Sequence, residues 1–403
     1  MKIDNLSYRL LILSDYITAP SYSPRLTSLL RYLHAQGWSC TLAADNLPGK
    51  EYTTDICPQV NMTYTGGKLS DKLFGARERA FTRMLLRKFK AGDFDCIFCS
   101  VYYYFPLQTA AALSRKWRIP FVVDMRDIVE QWGNTPYFHT PLPKILGLER
   151  ILSHLYERHN IRARNRVLCQ ASAITTVSNW HQSLLQSVTT APVSCIYNGY
   201  EEDEVRSAGF KATKQFNMTY MGRLINLQAR QPELLFAGIK ELAGGNDLAI
   251  HFYCEKEYQE SLRQMAAKYG AEKNLYMHPF VSRNQIKDIL SETSIIVALG
   301  APASSGQHGI LGTKVFEAIG AEKPFMLIPS DEDALSELIR ETNIGIAART
   351  AEDVREFVKK TYTQWQTLGY THRAVRDKER FSRIHQNRQF EEILAEQITK
   401  KHE

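Results

Sequence analysis

The chain has 403 residues, of which 44% are hydrophobic and 23% charged, with 22 Gly and 15 Pro. That length suits two ordinary domains with their own cores, and the composition excludes a collagenous, low-complexity or largely disordered chain. The formal charge of +7 is uneven: residues 1–200 carry 23 Lys and Arg against 14 Asp and Glu, and residues 201–403 carry 27 against 29. Attraction for an anionic partner therefore belongs to the first half.

The opening residues, MKIDNLSYRLLILSD, carry charges at Lys2, Asp4 and Arg9 and no small-residue cleavage site. They read as a first strand and not as a signal peptide. Seven cysteines without framework spacing point to free thiols in a reducing compartment. The expected location is the cytoplasm or the inner face of its membrane. Cys96 and Cys99 form C-x-x-C inside an apolar strand-like run, where residues three apart face opposite sides, so a buried structural pair is expected. The uncharged stretch from Cys96 to Ser114 has nearly membrane length. Pro106, Gln108 and Thr109 near its middle divide it into a strand, a proline turn and a helix.

Short apolar runs alternate with amphipathic ones along the whole chain, the pattern of parallel sheets covered by helices on both faces. In the first half the strands are RLLILSD, SCTLAA, DCIFCSV, PFVVDMRD, AITTVS and VSCIYNG. The intervening PRLTSLLRYLHAQG has helical spacing and ends at Gly37. FNMTYMG, LAIHFYC, LYMHPFV, SIIVALG, PFMLIPS and IGIAAR are the strands of the second half. NGYEEDEVRSAGFKATKQ, roughly residues 199–215, is polar and aperiodic and reads as a linker. The predicted architecture is α/β: two doubly wound Rossmann-like domains, residues 1–200 and 201–372. A charged helix over 373–403 is expected to cross back to the first domain. Ligands are expected in a cleft at the carboxyl ends of the strands.

Within GQHGILGTKVFEAIG, the amides from Gly309 to Thr313, with Gly312 permitting close approach, stand at a helix start and suit a phosphate. Lys314 adds a full positive charge. Glu317, three residues on and on the same helical face, has the acceptors to hold two ribose hydroxyls. A nucleoside diphosphate meets both demands; a capped helix with a solvated ion pair is the competing reading. In NMTYMGRLINLQARQPELL, Arg223 follows a strand and a glycine, and Arg230 precedes a helical pattern. Guanidinium groups at such strand ends suit bidentate phosphate binding, although Arg230 also reads as a plain surface residue.

On these stretches the chain resembles the retaining, nucleotide-sugar-dependent glycosyltransferases of GT-B fold, specifically the large family 4. The resemblance spans nearly the whole length, through RLLILSDYITAPSYSPRLTSLLRYLHAQGW, PFVVDMRD, AITTVSNW, IYNGY, YMGRL and GTKVFEAIGAEKP in order. It implies a GT-B architecture, with Glu317 on the donor ribose and Arg223, with Arg230 or Lys314, neutralising the departing diphosphate. It places Gly309, Ile310, Gly312 and Thr313 in the loop facing the phosphates and sugar. One departure concerns the second glutamate that the family often carries eight residues before the first: that position is Gly309 here.

In VVDMRDIVEQW, Asp124, Arg126 and Asp127 end a strand. Arg126 takes the place of a histidine that commonly contacts the donor sugar in the family, and Trp132 approximates a tryptophan found in one subset. Arg126 suits a sugar hydroxyl, carboxylate or phosphate, and Asp124 or Asp127 can polarise an acceptor hydroxyl. A structural Asp–Arg pair is the alternative. Ser178 and Asn179 are expected to line the acceptor side, and Asn198 and Gly199 to shape the hinge.

No metal set is convincing: Ser330 or Asp331 reads as a helix N-cap, and His154 and His159 do not share a helical face. No cofactor is predicted, since the positive side chains stabilise the leaving group. The basic, leucine-bearing stretches at 81–90 and 142–168 fit either an anionic membrane surface or ordinary core helices. No base-stacking platform for nucleic acid is evident.

The predicted activity is sugar transfer from a nucleoside-diphosphate sugar to a hydroxyl of a glycan or lipid-linked glycan, metal-independent and with retention, in surface polysaccharide or glycoconjugate synthesis. Two alternatives stand beside it: a non-catalytic partner subunit, suggested by Gly309, and a sugar-nucleotide epimerase or hydrolase. A nicotinamide dehydrogenase is disfavoured, since SDYITAPSYSP lacks the G-x-G-x-x-G turn.

Overall fold

The computed structural model describes residues 7–16, 19, 23–46, 53–66, 71, 75–133, 149–224, 230–281 and 283–402. The chain divides into two compact units. One runs to Tyr197 and takes in the C-terminal helix Arg383–His402; the other comprises Asn198–Ser382 together with Gly133.

In the first unit, β1 (Arg9–Ser14), β2 (Ser39–Asn46), β3 (Gln59–Thr63), β4 (Cys96–Tyr102), β5 (Phe121–Asp127), β6 (Ala173–Thr176) and β7 (Val193–Cys195) form one sheet. Its order is β3-β2-β1-β4-β5-β6-β7 and its pairings are parallel. The inner strands read as continuous apolar runs because both faces are covered. Cys96 and Cys99 illustrate this: both are buried and unoxidised, and they belong to core clusters on opposite faces of the sheet. Burial pushes the Cys96 thiol up to about 12, which keeps it unreactive. As expected, the apolar stretch beginning at Cys96 divides into β4, a turn at Pro106 and the helix Leu107–Trp117. Among the described residues no helix is long and apolar enough to cross a membrane.

The C-terminal helix brings Phe390, Leu394 and Ile398, spaced by four, into the cluster that also holds Leu26, Leu29, Leu30 and Leu33 of the Pro24–Ala35 helix. It begins at Arg383 and not at Arg373. The ten residues before it are held within the second unit, with the Arg373 N–H donating to the Glu322 carbonyl and the Arg376 N–H to that of Thr342.

The second unit contains β8 (Phe216–Met221), β9 (Leu248–Tyr253), β10 (Leu275–His278), β11 (Ile295–Leu299), β12 (Phe325–Ile328) and β13 (Gly345–Ala347). They are ordered β10-β9-β8-β11-β12-β13 and again parallel. Both sheets are doubly wound: the winding reverses between β1 and β4 in one and between β8 and β11 in the other. In such sheets the loops at the carboxyl side of the reversal open a ligand crevice.

Two elements differ from the sequence expectation. β3 is an edge strand whose residues, QVNMT, carry too little apolar surface to show a buried pattern. The expected linker contains a helix, Glu202–Ala208, whose first turn holds Glu202, Asp203 and Glu204 and so complements the helix dipole.

Candidate functional site

In the second unit the reversal between β8 and β11 is built around one missing side chain. β8 runs into Gly222, whose φ of +142° few other residues adopt. A Cβ there would lie 2.5 Å from the Nζ of Lys314 and 3.0 Å from its Cε. The lysine, in the first turn of the Thr313–Ala321 helix, occupies the space so vacated, with its Nζ 4.9 Å from the centre of the Tyr220 ring. Tyr220 in turn donates its hydroxyl to the Arg223 carbonyl at 2.9 Å, and Glu255, after β9, accepts the Leu224 N–H at 3.0 Å. The turn bearing Arg223 is therefore fixed from two sides, while the Arg223 side chain is exposed and has no ion-pair partner among the described residues.

Arg230 donates to the Leu299 carbonyl at the end of β11, which places its guanidinium at the reversal as well. Glu317 lies one turn beyond Lys314 and is half-buried. Desolvation pushes the Lys314 amine down to about 8; Glu317 and then Glu255 work against that shift, and Arg230 adds to it. Three charged groups, Glu317 on the lysine's own helix and Arg230 and Glu255 from two other segments, are thus within electrostatic reach of one amine. Glu255 was not recognised in the sequence. Its partner turn lies on another strand, and no local pattern joins them.

The Thr313–Ala321 helix opens without a side-chain cap: Gly312 is extended and exposed at the N-cap, and Thr313 is exposed. That opening suits an anion. Gly309 behaves differently from the expectation that its amide faces a ligand. Its N–H donates to the Asp333 carboxylate, which also lies 3.6 Å from His308 Nδ1. Its φ is +69°, a conformation costly for a glutamate, so the local backbone accounts for the glycine at this position. Ile310, next to it, is half-buried. Asp331 caps the following helix, accepting the Leu335 N–H at 3.1 Å and the Ser336 N–H at 3.0 Å.

In the first unit β5 carries the other candidates to its carboxyl end. Asp124 faces inward and is 2% exposed. It accepts Nε and NH2 of buried Arg25 at 3.1 and 2.9 Å and the Thr175 hydroxyl at 2.7 Å. Arg25 also donates to the Tyr197 carbonyl and lies over the Phe390 ring. Asp124 is therefore the acid of a buried structural pair, but its partner is Arg25 and not Arg126.

Arg126 falls where the register between β4 and β5 slips by one residue, and such irregularities re-aim a side chain. Its NH1 donates to Ser23 Oγ at 2.9 Å, and its Nε is buried without a hydrogen-bond partner among the described residues. Asp127 accepts Gln131 Nε2 at 3.0 Å. In the same short 3-10 turn, Val129–Trp132, Glu130 is bidentate to buried Arg164, and Trp132 donates to the Tyr103 hydroxyl at 2.8 Å. Ser178 is fully buried and caps the Asn179–Val188 helix by accepting the His181 N–H. His181, unnoticed in the sequence, is 1% exposed, and among the described residues neither ring nitrogen has a hydrogen-bond partner; burial pushes its pKa down to about 4.

Residues 25–204 match the family described as Glycosyltransferase Family 4. No curated protein matches the chain. Among solved structures, a glycosyltransferase from Rickettsia africae is 11% identical, with a TM-score of 0.67 over 97% of this chain and 99% of that one. Sucrose-phosphate synthase from Thermosynechococcus elongatus is 12% identical, with a TM-score of 0.67 over 98% and 100%. The Anabaena protein HepE, in complex with UDP and glucose, is 14% identical, with a TM-score of 0.64 over 96% and 100%.

The chain has the GT-B glycosyltransferase fold.

The family match and the fold together support a glycosyltransferase. The second unit's reversal brings Lys314, Glu317, Arg230 and the Gly222–Arg223 turn together, cationic groups with one carboxylate among them.

Proposed function

We propose that this protein transfers a sugar from a nucleoside-diphosphate sugar to a hydroxyl of a glycan or lipid-linked glycan, with retention at the anomeric carbon. The observation that carries the reading is the convergence of Lys314, Glu317 and Arg230 at the β8/β11 reversal beside the glycine turn that presents Arg223. HepE, a protein of similar fold, holds UDP and glucose, which supports a nucleoside diphosphate as the group bound.

In this reading the second unit binds the donor. Glu317 accepts hydrogen bonds from the ribose hydroxyls, and the uncapped helix start at Gly312 and Thr313 receives phosphate oxygens. As the bond between the anomeric carbon and the diphosphate oxygen breaks, negative charge grows on the phosphate. Lys314, Arg223 and Arg230 stabilise that charge without a metal or cofactor. The first unit is assigned the acceptor. Asp127, oriented by Gln131, takes the hydroxyl proton, and Arg126 holds a polar group of the sugar or acceptor. Asp124 and Ser178 support the scaffold in this scheme, given their internal hydrogen bonds. The excess positive charge of residues 1–200 fits work at the cytoplasmic face of an anionic membrane.

A panel of nucleoside-diphosphate sugars assayed by thermal shift tests the reading. One donor is expected to raise the Tm of the native protein by mass action and to lose most of that effect with Glu317→Ala. The same donor, incubated with glycan acceptors, is expected to release nucleoside diphosphate only when an acceptor is present. Stabilisation by none of the panel would sink the donor-site assignment. Donor binding without release under any acceptor would instead favour a non-catalytic partner subunit.

A further inference from the structure

The helices Ala76–Lys88 and Leu107–Trp117 pack side by side in the first unit and, with the end of the Glu149–Leu168 helix, enclose a groove of about 670 Å³. Arg79 and Arg83 stand on one bank and Arg115 on the other, above a floor formed by Ala111, Ala112 and Val167. All three arginines are exposed, and among the described residues none has a carboxylate partner. Arg83 Nε donates to the Arg79 carbonyl, and Arg115 to the Gln170 side chain, so both bases are held near the groove by neutral acceptors.

The one acid in the lining, Glu78, does not answer them. Its carboxylate accepts the Gln108 and Thr109 N–H groups at 3.2 and 3.0 Å and the Thr109 hydroxyl at 2.6 Å. It spends its charge capping the neighbouring helix from outside. The groove is therefore positive with a partly apolar floor. On the same helical stripe as Arg79 and Arg83, Leu86 is 39% exposed.

We propose that this groove is a binding site for the phosphate headgroup of an anionic phospholipid, held by Arg79, Arg83 and Arg115 while Leu86 enters the bilayer interface. Three arginines around one cavity suit a phosphoryl group, which accepts bidentate hydrogen bonds. A free anion would leave Leu86 and the apolar floor in water, whereas a bilayer surface covers them. Single-stranded nucleic acid is disfavoured because the lining carries no aromatic ring to stack a base. This inference deepens the membrane contact in the proposed function.

Sedimentation with vesicles tests it without turnover. The full chain is expected to pellet with phosphatidylcholine vesicles containing phosphatidylglycerol and to stay in solution with phosphatidylcholine alone. The triple variant Arg79→Gln, Arg83→Gln, Arg115→Gln should lose binding at least 10-fold with its Tm unchanged. Lys240→Gln, Lys273→Gln, Lys359→Gln, which removes the same charge elsewhere, should bind like the native protein. The inference is overturned if anionic vesicles are not bound or if both triple variants lose binding equally. It is likewise overturned if a single-stranded oligonucleotide or inorganic phosphate at micromolar concentration displaces the vesicles. Release of nucleoside diphosphate with a soluble glycan acceptor is unaffected by any of these outcomes, so the two readings fail separately.

Discussion

Lys314 occupies the space a side chain at Gly222 would need, its Nζ 2.5 Å from the Cβ position. The glycine after β8 thus serves the lysine as much as the turn. Gly222→Ala must expel the amine from over the Tyr220 ring and also hold alanine at φ +142°. Backbone strain of this kind costs about 1–3 kcal/mol. The expected outcome is a lowered Tm together with a loss of nucleotide affinity greater than the stability change alone explains. Calorimetric titration with the best donor checks it, and native affinity in a folded Gly222→Ala protein would separate Lys314 from the ligand.

Glu317 and Arg223 should divide binding from chemistry. A carboxylate that hydrogen-bonds the ribose does so before and during transfer, so Glu317→Ala is expected to raise the donor KM by roughly 10- to 100-fold, the range for losing a charged hydrogen bond. Arg223 is exposed at its fixed turn, and in the proposed reaction it acts on charge that grows as the bond breaks. Arg223→Ala is expected to lower kcat by about 10²-fold or more with a small change in KM. Steady-state kinetics on both variants provide the check; unchanged constants in both would remove this pair from the site.

The amine of Lys314, held down at about 8, gives donor binding a pH dependence of definite sign. Below pH 8 the amine is charged and, in the proposed reading, attracts the diphosphate; above it that attraction fades. Donor affinity should therefore fall between pH 7 and pH 9.5, and Lys314→Arg, whose guanidinium stays charged, should flatten the decline. Stability of the ligand-free protein should move the other way. The unfolded lysine titrates at its ordinary higher value and binds more protons than the folded one between the two pKa values, so this group's contribution rises with pH from about 8 upward. Titrations of the native protein and the variant across that range test both signs.

At the reversal between β8 and β11, the features that were legible in the sequence are those set by local geometry. Lys314 and Glu317 share a helical face because they are three residues apart, and a glycine after a strand marks a turn wherever it occurs. What was not legible depends on partners distant in sequence. Glu255 reaches Leu224 from the next strand, Asp333 takes the Gly309 amide from a later helix, and Arg25 meets Asp124 across 99 residues. Both sheets could be read because most of their inner strands are largely apolar. β3 could not, since an edge strand needs less apolar surface, and the acids of the assumed linker proved to be a helix's first turn.

Asp124 and Arg25 provide the test of scaffold against chemistry in the first unit. Both are nearly inaccessible, and the acid's hydrogen bonds all lie within the fold. Removing one partner of such a pair leaves a buried charge unanswered, at a cost of about 3–5 kcal/mol. Asp124→Asn should therefore lower stability strongly. The double variant Arg25→Met, Asp124→Leu should recover part of that loss, because no isolated charge remains and the replacements are apolar. Chemical denaturation of Arg25→Met, Asp124→Leu and the double measures the coupling. If Asp124→Asn keeps native stability while abolishing transfer, Asp124 belongs to the acceptor chemistry and the scaffold role assigned to it here is wrong.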